Sequence, residues 1–259
     1  MAGGHPMLEL QDVKVWFGGV RAVDGVSMRL EAGRLYGIIG PNGSGKTTLI
    51  NAISRLTRLT SGTIRFDGED VSHAPAHHVS RMGMARTFQA IRLLPTLDVR
   101  ENILLGTDEL VRADGEGGSW RARARARARR AAQAADEAIE RLGLQAVARE
   151  QPSNLPYGTQ RRVEIARAVA SGCRLLLLDE PIAGMSREER DEIAEVLRAL
   201  RGEGLTQVLI EHDLRMVLRT CEHLYVLNLG TNLAEGEPAA TVARPAVQEA
   251  YLGRVHVGA

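Results

Sequence analysis

Gly40, Pro41, Asn42, Gly43, Ser44, Gly45, Lys46 and Thr47 fit the pattern G-x-x-x-x-G-K-[ST], with Thr48 continuing the run. Glycines at 40, 43 and 45 let the backbone turn tightly and aim N–H groups at an anion. Lys46 reaches the outer phosphates of a nucleotide, and the Thr47 hydroxyl suits the octahedral oxygen shell of Mg²⁺. Lysine occurs only at Lys14 and Lys46, the other basic side chains being Arg. A compact ammonium is thus kept where phosphate chemistry uses one. A second constellation begins with Leu175, Leu176, Leu177 and Leu178 and ends in Asp179 and Glu180. Hydrolysis of a metal-bound phosphate needs one carboxylate on the metal and one group that polarises water; Asp179 suits the first role and Glu180 the second. His212, after a later apolar run, brings an imidazole towards the same edge.

These residues need a parallel sheet to position them. The apolar run 35–39, the phosphate loop and a helical segment at 48–56 read as strand, loop, helix. Alternation at 8–16 and 23–30 predicts two earlier strands, and 63–66 a short one between turn signals. The stretch 77–82 reads as helix and 84–88 as extended. Leu175 to Leu178, without polar interruption, predicts a central strand covered on both faces. Further strands are expected at 207–210 and 224–228. Ile193, Val196, Leu197 and Leu200 at helical spacing predict an amphipathic helix over 187–201, and 238–252 reads as further helices. Alternating strands and helices imply a doubly wound α/β core.

From 97 to 170 the chain turns Ala-, Arg- and Glu-rich, which predicts an inserted helical lobe with a loop at 115–118. Within it Arg121, Arg125 and Arg129 form one helical stripe, with Arg123 and Arg127 nearly opposite. Such a helix projects into water; contact with anionic lipid headgroups is the functional alternative.

The 259 residues carry a formal net charge of +1 and only 3% aromatics, a balance that argues against a nucleic-acid partner. Cys173 and Cys221 lack metal-ligand spacing and read as reduced and buried in a cytosolic chain. His73, His77 and His78 lack a carboxylate or Cys at ligand spacing and read as surface histidines. Residues 1–6 show no leader pattern, and no apolar run approaches the roughly 18 residues of a membrane span.

With these motifs in this order, the sequence resembles the ATP-binding cassette ATPases over essentially its whole length. The resemblance implies one cassette over 1–259: a RecA-like P-loop core, an antiparallel β subdomain and the helical lobe at about 97–170. It implies that Phe17 stacks on the adenine of ATP, that Gln89 contacts Mg²⁺ and the attacking water, and that His212 contacts the γ-phosphate. Tyr157, Gly158, Thr159 and Gln160, after Leu155 and Pro156, stand where the signature sequence belongs. A head-to-tail dimer is implied, each ATP lying between one chain's phosphate loop and the other's signature helix, whose open N–H groups and positive dipole end suit a phosphate.

Two departures stand out. Pro156 and Tyr157 replace the usual Ser-Gly, removing a hydroxyl, and Ser186 replaces the usual Asp after Gly184 and Met185. Both are expected to affect turnover. More narrowly, the runs 81–89, 157–167, 210–213, 236–238 and 250–253 resemble ATPase subunits of branched-chain amino-acid importers. That resemblance implies a second, distinct ATPase subunit, with a homodimer as the alternative, together with membrane permease subunits and, indirectly, a periplasmic binding protein. It implies a peripheral place on the cytoplasmic face of the inner membrane. Cassettes for urea, other amino acids or lipopolysaccharide export share much of the pattern, and a soluble non-transport cassette is the more distant alternative. Ile91, Leu93, Leu94 and Pro95 are expected to form a surface groove for a permease helix.

Overall fold

The computed structural model describes residues 5–108 and 119–252. In chain order the strands are β1 (Leu8–Phe17), β2 (Val20–Leu30), β3 (Leu35–Ile39), β4 (Ser61–Phe66), β5 (Glu69–Asp70), β6 (Met84–Arg86), β7 (Leu175–Asp179), β8 (Thr206–Ile210), β9 (His223–Asn228) and β10 (Thr231–Gly236). The α-helices are α1 (Lys46–Ile53), α2 (Ala76–Arg81), α3 (Val99–Leu104), α4 (Trp120–Arg141), α5 (Tyr157–Val169), α6 (Arg187–Gly202), α7 (Leu214–Thr220), α8 (Pro238–Val242) and α9 (Pro245–Leu252).

One sheet has the order β10-β9-β3-β8-β7-β6 and is parallel except for β10. The other, β2-β1-β4-β5, is antiparallel. The leucine run of β7 shows why an unbroken apolar strand belongs at a centre. Leu175 and Leu177 enter the core shared with α1 and the antiparallel sheet, while Leu176 and Leu178 enter the core covered by α5 and α6. Successive side chains alternate faces, so both faces must be dry. Each buried leucine then contributes roughly 1.5–3 kcal/mol relative to exposure.

Helices α3, α4 and α5 pack together within the stretch expected to be helical. The Arg-Ala part of α4 faces solvent almost throughout, and Ala135, Ala138 and Ile139 carry the packing. The loop expected at 115–118 lies outside the described residues, as do residues 1–4 of the leader reading and Gly253 of the last family-like run. On α6, Ile193, Leu197 and Leu200 are buried as expected, with Ala194 beside them, whereas Val196 is half-buried.

Other differences have local causes. Strand β10 escaped notice because it is an edge strand with Ala234 as its one buried residue, which leaves no alternation to read. Helix α7 is short and starts on its cap: the Asp213 carboxylate accepts from the N–H groups of Arg215 and Met216. Cys221 is buried, but Cys173 is only partly so; both are free thiols. His73 and His77 are exposed, and His78 lies 2.8 Å from Glu69 Oε1. Among the described residues no helix is long and apolar enough to cross a membrane.

Candidate functional site

The phosphate loop joins β3 to α1, and its glycines are sterically required. At Gly40 (φ +153°) a Cβ would stand 2.2 Å from the Leu227 carbonyl oxygen, and at Gly45 (φ +100°) 2.3 Å from that of Ala22. Helix α1 has no side-chain cap and no acid in its first turn, so its N-terminal N–H groups face the loop's concavity. Lys46 is buried and folds back, Nζ donating to Gly40 O at 2.7 Å and Pro41 O at 3.1 Å. The Ser44 hydroxyl is buried without a hydrogen-bond partner. A buried orphan hydroxyl just before an uncapped helix start fits a phosphate oxygen as partner.

A cavity of about 580 Å³ opens here, lined by Asn42, Gly43, Gly45, Lys46, Thr47 and Thr48 on one side and by Glu180, Ala22 and Leu229 on others. Glu180 follows β7 with φ +47°, a left-handed conformation that is costly for a residue with a side chain. Its backbone N–H donates to Ile210 O at 3.0 Å, and its carboxylate accepts from Gln89 Nε2 at 3.0 Å. His212 Nδ1 stands 4.0 Å from the same oxygen. A carboxylate so oriented can polarise a water at the phosphate end of the cavity.

Asp179 is buried and adjoins Glu180, and its Oδ2 accepts from Arg86 Nη2 at 2.9 Å. Arg86 also donates to Asn51 Oδ1 at 2.6 Å and Ser54 Oγ at 3.0 Å, tying β6 to α1 and β7. Sequence reasoning did not single out Arg86; a lone Arg in a short strand carries no signal of its partner. The same holds for Glu211, fully buried before His212, whose carboxylate accepts from the N–H groups of Ile182 and His212. Burial pushes the Glu211 carboxyl above the usual carboxylate range.

Phe17, 54% exposed at the end of β1, is not part of the cavity wall but pairs in register with Val20, which is. Tyr157, Gly158, Thr159 and Gln160 begin α5 and line no part of this cavity. The helix start expected to be open is not open at Gly158, whose N–H donates to Glu189 Oε1 at 2.8 Å. Gln160 Nε2 donates to Leu155 O, and the Thr159 hydroxyl accepts from Arg162. Ser186 caps α6: its Oγ accepts from Glu189 N, and the Glu189 carboxylate accepts from Ser186 N. Serine therefore meets the capping need that Asp would meet.

Of the residues expected to form a permease groove, Ile91 is half-buried and Pro95 is exposed. A second cavity, about 420 Å³, is walled by Leu56, Val79, Arg86, Phe88, Leu105 and Arg167. Leu93 is instead half-buried against the core, and Leu94 is exposed.

A family model described as ABC transporter matches residues 23–183. The chain belongs to the ABC transporter family. It is 38% identical over 251 residues to the high-affinity branched-chain amino acid transport ATP-binding protein BraF of Pseudomonas aeruginosa, covering 96% of this chain and 98% of that one. Identity and coverage are the same against LivG of Escherichia coli, which carries the same description. The fold superimposes on the ADP conformation of MJ1267, an ATP-binding cassette of an ABC transporter, with a TM-score of 0.82, 30% identity and coverage of 96% and 99%. A dimeric post-hydrolysis cassette, MJ0796 bound to ADP and Pi, gives 0.72 at 26% identity, covering 90% and 99%. As an ABC cassette the chain is a nucleotide-binding ATPase with the P-loop α/β fold.

Proposed function

We propose that this chain is the ATP-hydrolysing subunit of an importer for branched-chain amino acids, with Glu180 as the group that polarises the attacking water. The observation that carries the catalytic reading is the 3.0 Å hydrogen bond from Gln89 to Glu180 at the mouth of the phosphate-loop cavity, with His212 beside it. Gln89 orients the carboxylate and the water it addresses, and His212 steadies the terminal phosphate. The phosphate loop, from Gly40 through Thr48, cradles the β- and γ-phosphates with its N–H groups and Lys46; Phe17 supports the adenine. The Thr47 hydroxyl and the Asp179 carboxylate, with the Gln89 amide, are hard oxygen donors that fit Mg²⁺. That ion supplies charge neutralisation at the bridging phosphate oxygens when bound.

The solute follows from the relatives, named as branched-chain amino acid transport proteins along nearly the whole chain. Residues 157–160 line no part of the phosphate-loop cavity, so completing the site with them takes a second cassette. A distinct ATPase subunit is the partner proposed, with a homodimer as the simpler case. Permease subunits bind at the groove of Leu56, Phe88, Leu105 and Arg167, and a periplasmic solute-binding protein joins from the far side. The complex sits on the cytoplasmic face of the inner membrane.

Labelled leucine uptake in cells relying on this chain tests the reading. With Glu180→Gln in place of the native chain, uptake should fall about a hundredfold or more, the rough lower reach of a lost general base being ~10² in rate. Unchanged uptake, with the variant expressed and other leucine transporters deleted, would reject leucine as the solute.

A further inference from the structure

Arg161 is the largest fully buried side chain among the described residues, and it lies one turn inside α5. Its guanidinium donates to Phe88 O at 2.7 Å through Nη1 and to Gln89 O at 2.7 Å through Nη2. Glu164, 1% exposed, holds Nη1 at 2.6 Å through Oε2, while its Oε1 accepts from the Arg92 N–H at 3.0 Å. Arg167, a turn further on, donates to Arg92 O at 2.6 Å. Three side chains within about two turns of α5, Arg161, Glu164 and Arg167, therefore grip the backbone at Phe88, Gln89 and Arg92, while the preceding residues belong to the sheet. Thr87 N donates to Leu177 O at 2.9 Å, and β6 pairs with β7.

A buried ion pair is weak evidence for a role in stability. Replacing a buried ion pair by apolar side chains is often neutral or favourable, because two desolvated charges seldom recover their hydration. Arg161 Nε even remains without a partner. What a planar guanidinium supplies is two donors in fixed geometry on two successive carbonyls.

We propose that Arg161, locked by Glu164, is a positioning residue that makes Gln89 part of the rigid body of α5. The passage from sheet to helical lobe then falls between the Thr87 N–H and the Phe88 carbonyl. The Gln89–Glu180 hydrogen bond becomes a contact between lobe and sheet, and the position of α5 is delivered to the carboxylate that addresses water. The chain of contacts is short: Gly158 lies in the first turn of α5, Arg161 follows three residues later, its guanidinium holds the Gln89 carbonyl, and the Gln89 amide holds Glu180. This inference rests on the roles proposed for Gln89 and Glu180.

A double-mutant cycle on the purified full-length chain, assembled with whatever partner subunit co-purifies, tests it. Arg161→Lys keeps the charge but cannot span both carbonyls; it should lower kcat about tenfold with KM and ATP affinity within about twofold, the signature of an interaction that matters after binding. In a Gln89→Ala background the same substitution should cost nothing further beyond about twofold, because residues acting through one another are non-additive. Losses that multiply across the two sites would overturn the proposal, as would a fall in nucleotide affinity that matches the fall in kcat. If Arg161→Lys does not fold, Glu164→Gln carries the same cycle with the same two readings. Absence of ATP hydrolysis by the assembled wild type would instead defeat the underlying catalytic reading, and so is distinguishable from an additive cycle in an active enzyme.

Discussion

Glu189 Oε1 accepts the Gly158 N–H at 2.8 Å, so an acid at the start of α6 sits on the first turn of α5. The contact is close enough that a Cβ at Gly158 would stand 2.9 Å from Glu189 Cγ. The N–H bonds from Ser186 and Gly158 hold the Glu189 carboxyl below the usual carboxylate range. With a depressed folded-state pKa, the stabilisation is present above the unfolded value and lost as pH falls through the folded one. Glu189→Gln should therefore lower the melting temperature at neutral pH, and the gap to wild type should narrow below about pH 4, near the unperturbed carboxylate value. A gap independent of pH across a calorimetric series would contradict the ionic nature of this contact.

Lys46 and Glu180 should separate binding from chemistry. Lys46→Ala removes an ammonium already held within the loop by two carbonyls, and should weaken binding of a fluorescent ATP analogue by roughly tenfold or more, about the loss of one charge-assisted hydrogen bond. Glu180→Gln should bind the analogue nearly as wild type and lose about 10²–10⁴ in kcat. Normal turnover by the Glu180→Gln complex would remove this residue from its proposed role.

Gly40→Ala should fail structurally rather than chemically. The added Cβ meets the Leu227 carbonyl oxygen at 2.2 Å and a backbone φ of +153°, and neither a strand carbonyl nor the loop can yield cheaply. A destabilisation of about 1–3 kcal/mol or more is expected from backbone strain of this kind, read from urea unfolding. Wild-type stability in the variant would show that the loop relaxes.

Arg86 and Asp179 leave only 8% of each side chain exposed, so either one alone is a buried charge without its partner. Arg86→Met should cost about 3 kcal/mol at neutral pH, at the low end of the range for breaking a buried pair. Asp179→Asn should cost less, since the amide oxygen still accepts from the guanidinium. Equal losses in the two variants would contradict this, indicating that the ionic attraction between the pair and not the retained oxygen acceptor carries the contact.

Much of the fold could be read directly because its signals are local. Alternation located β1 and β2, the leucine run located β7, and helical spacing located α6. The short β5 and the edge strand β10 were missed because too few of their residues are buried to leave a period, and α7 because its run is too short to show one. The phosphate loop and the Asp179-Glu180 pair were equally legible, since their chemistry depends on residues adjacent in the chain. The packing of Leu93 against the core and the cavity beside Phe88 were not legible for the opposite reason, since that cavity is assembled from β6, α2 and α5 residues far apart in sequence.

From sequence alone, this protein's phosphate loop, its acidic strand end and its α/β alternation were determined, because backbone period and motif spacing are properties of short segments. Tertiary structure alone decided which groups those residues meet. Gly158 finds Glu189 across 31 positions, Arg161 finds Phe88 across 73, and Arg86 finds Asp179 across 93. Those pairings arise from packing helices onto a sheet, where burial removes water as a partner and obliges each charge or N–H to find whatever complementary group the fold has brought within reach.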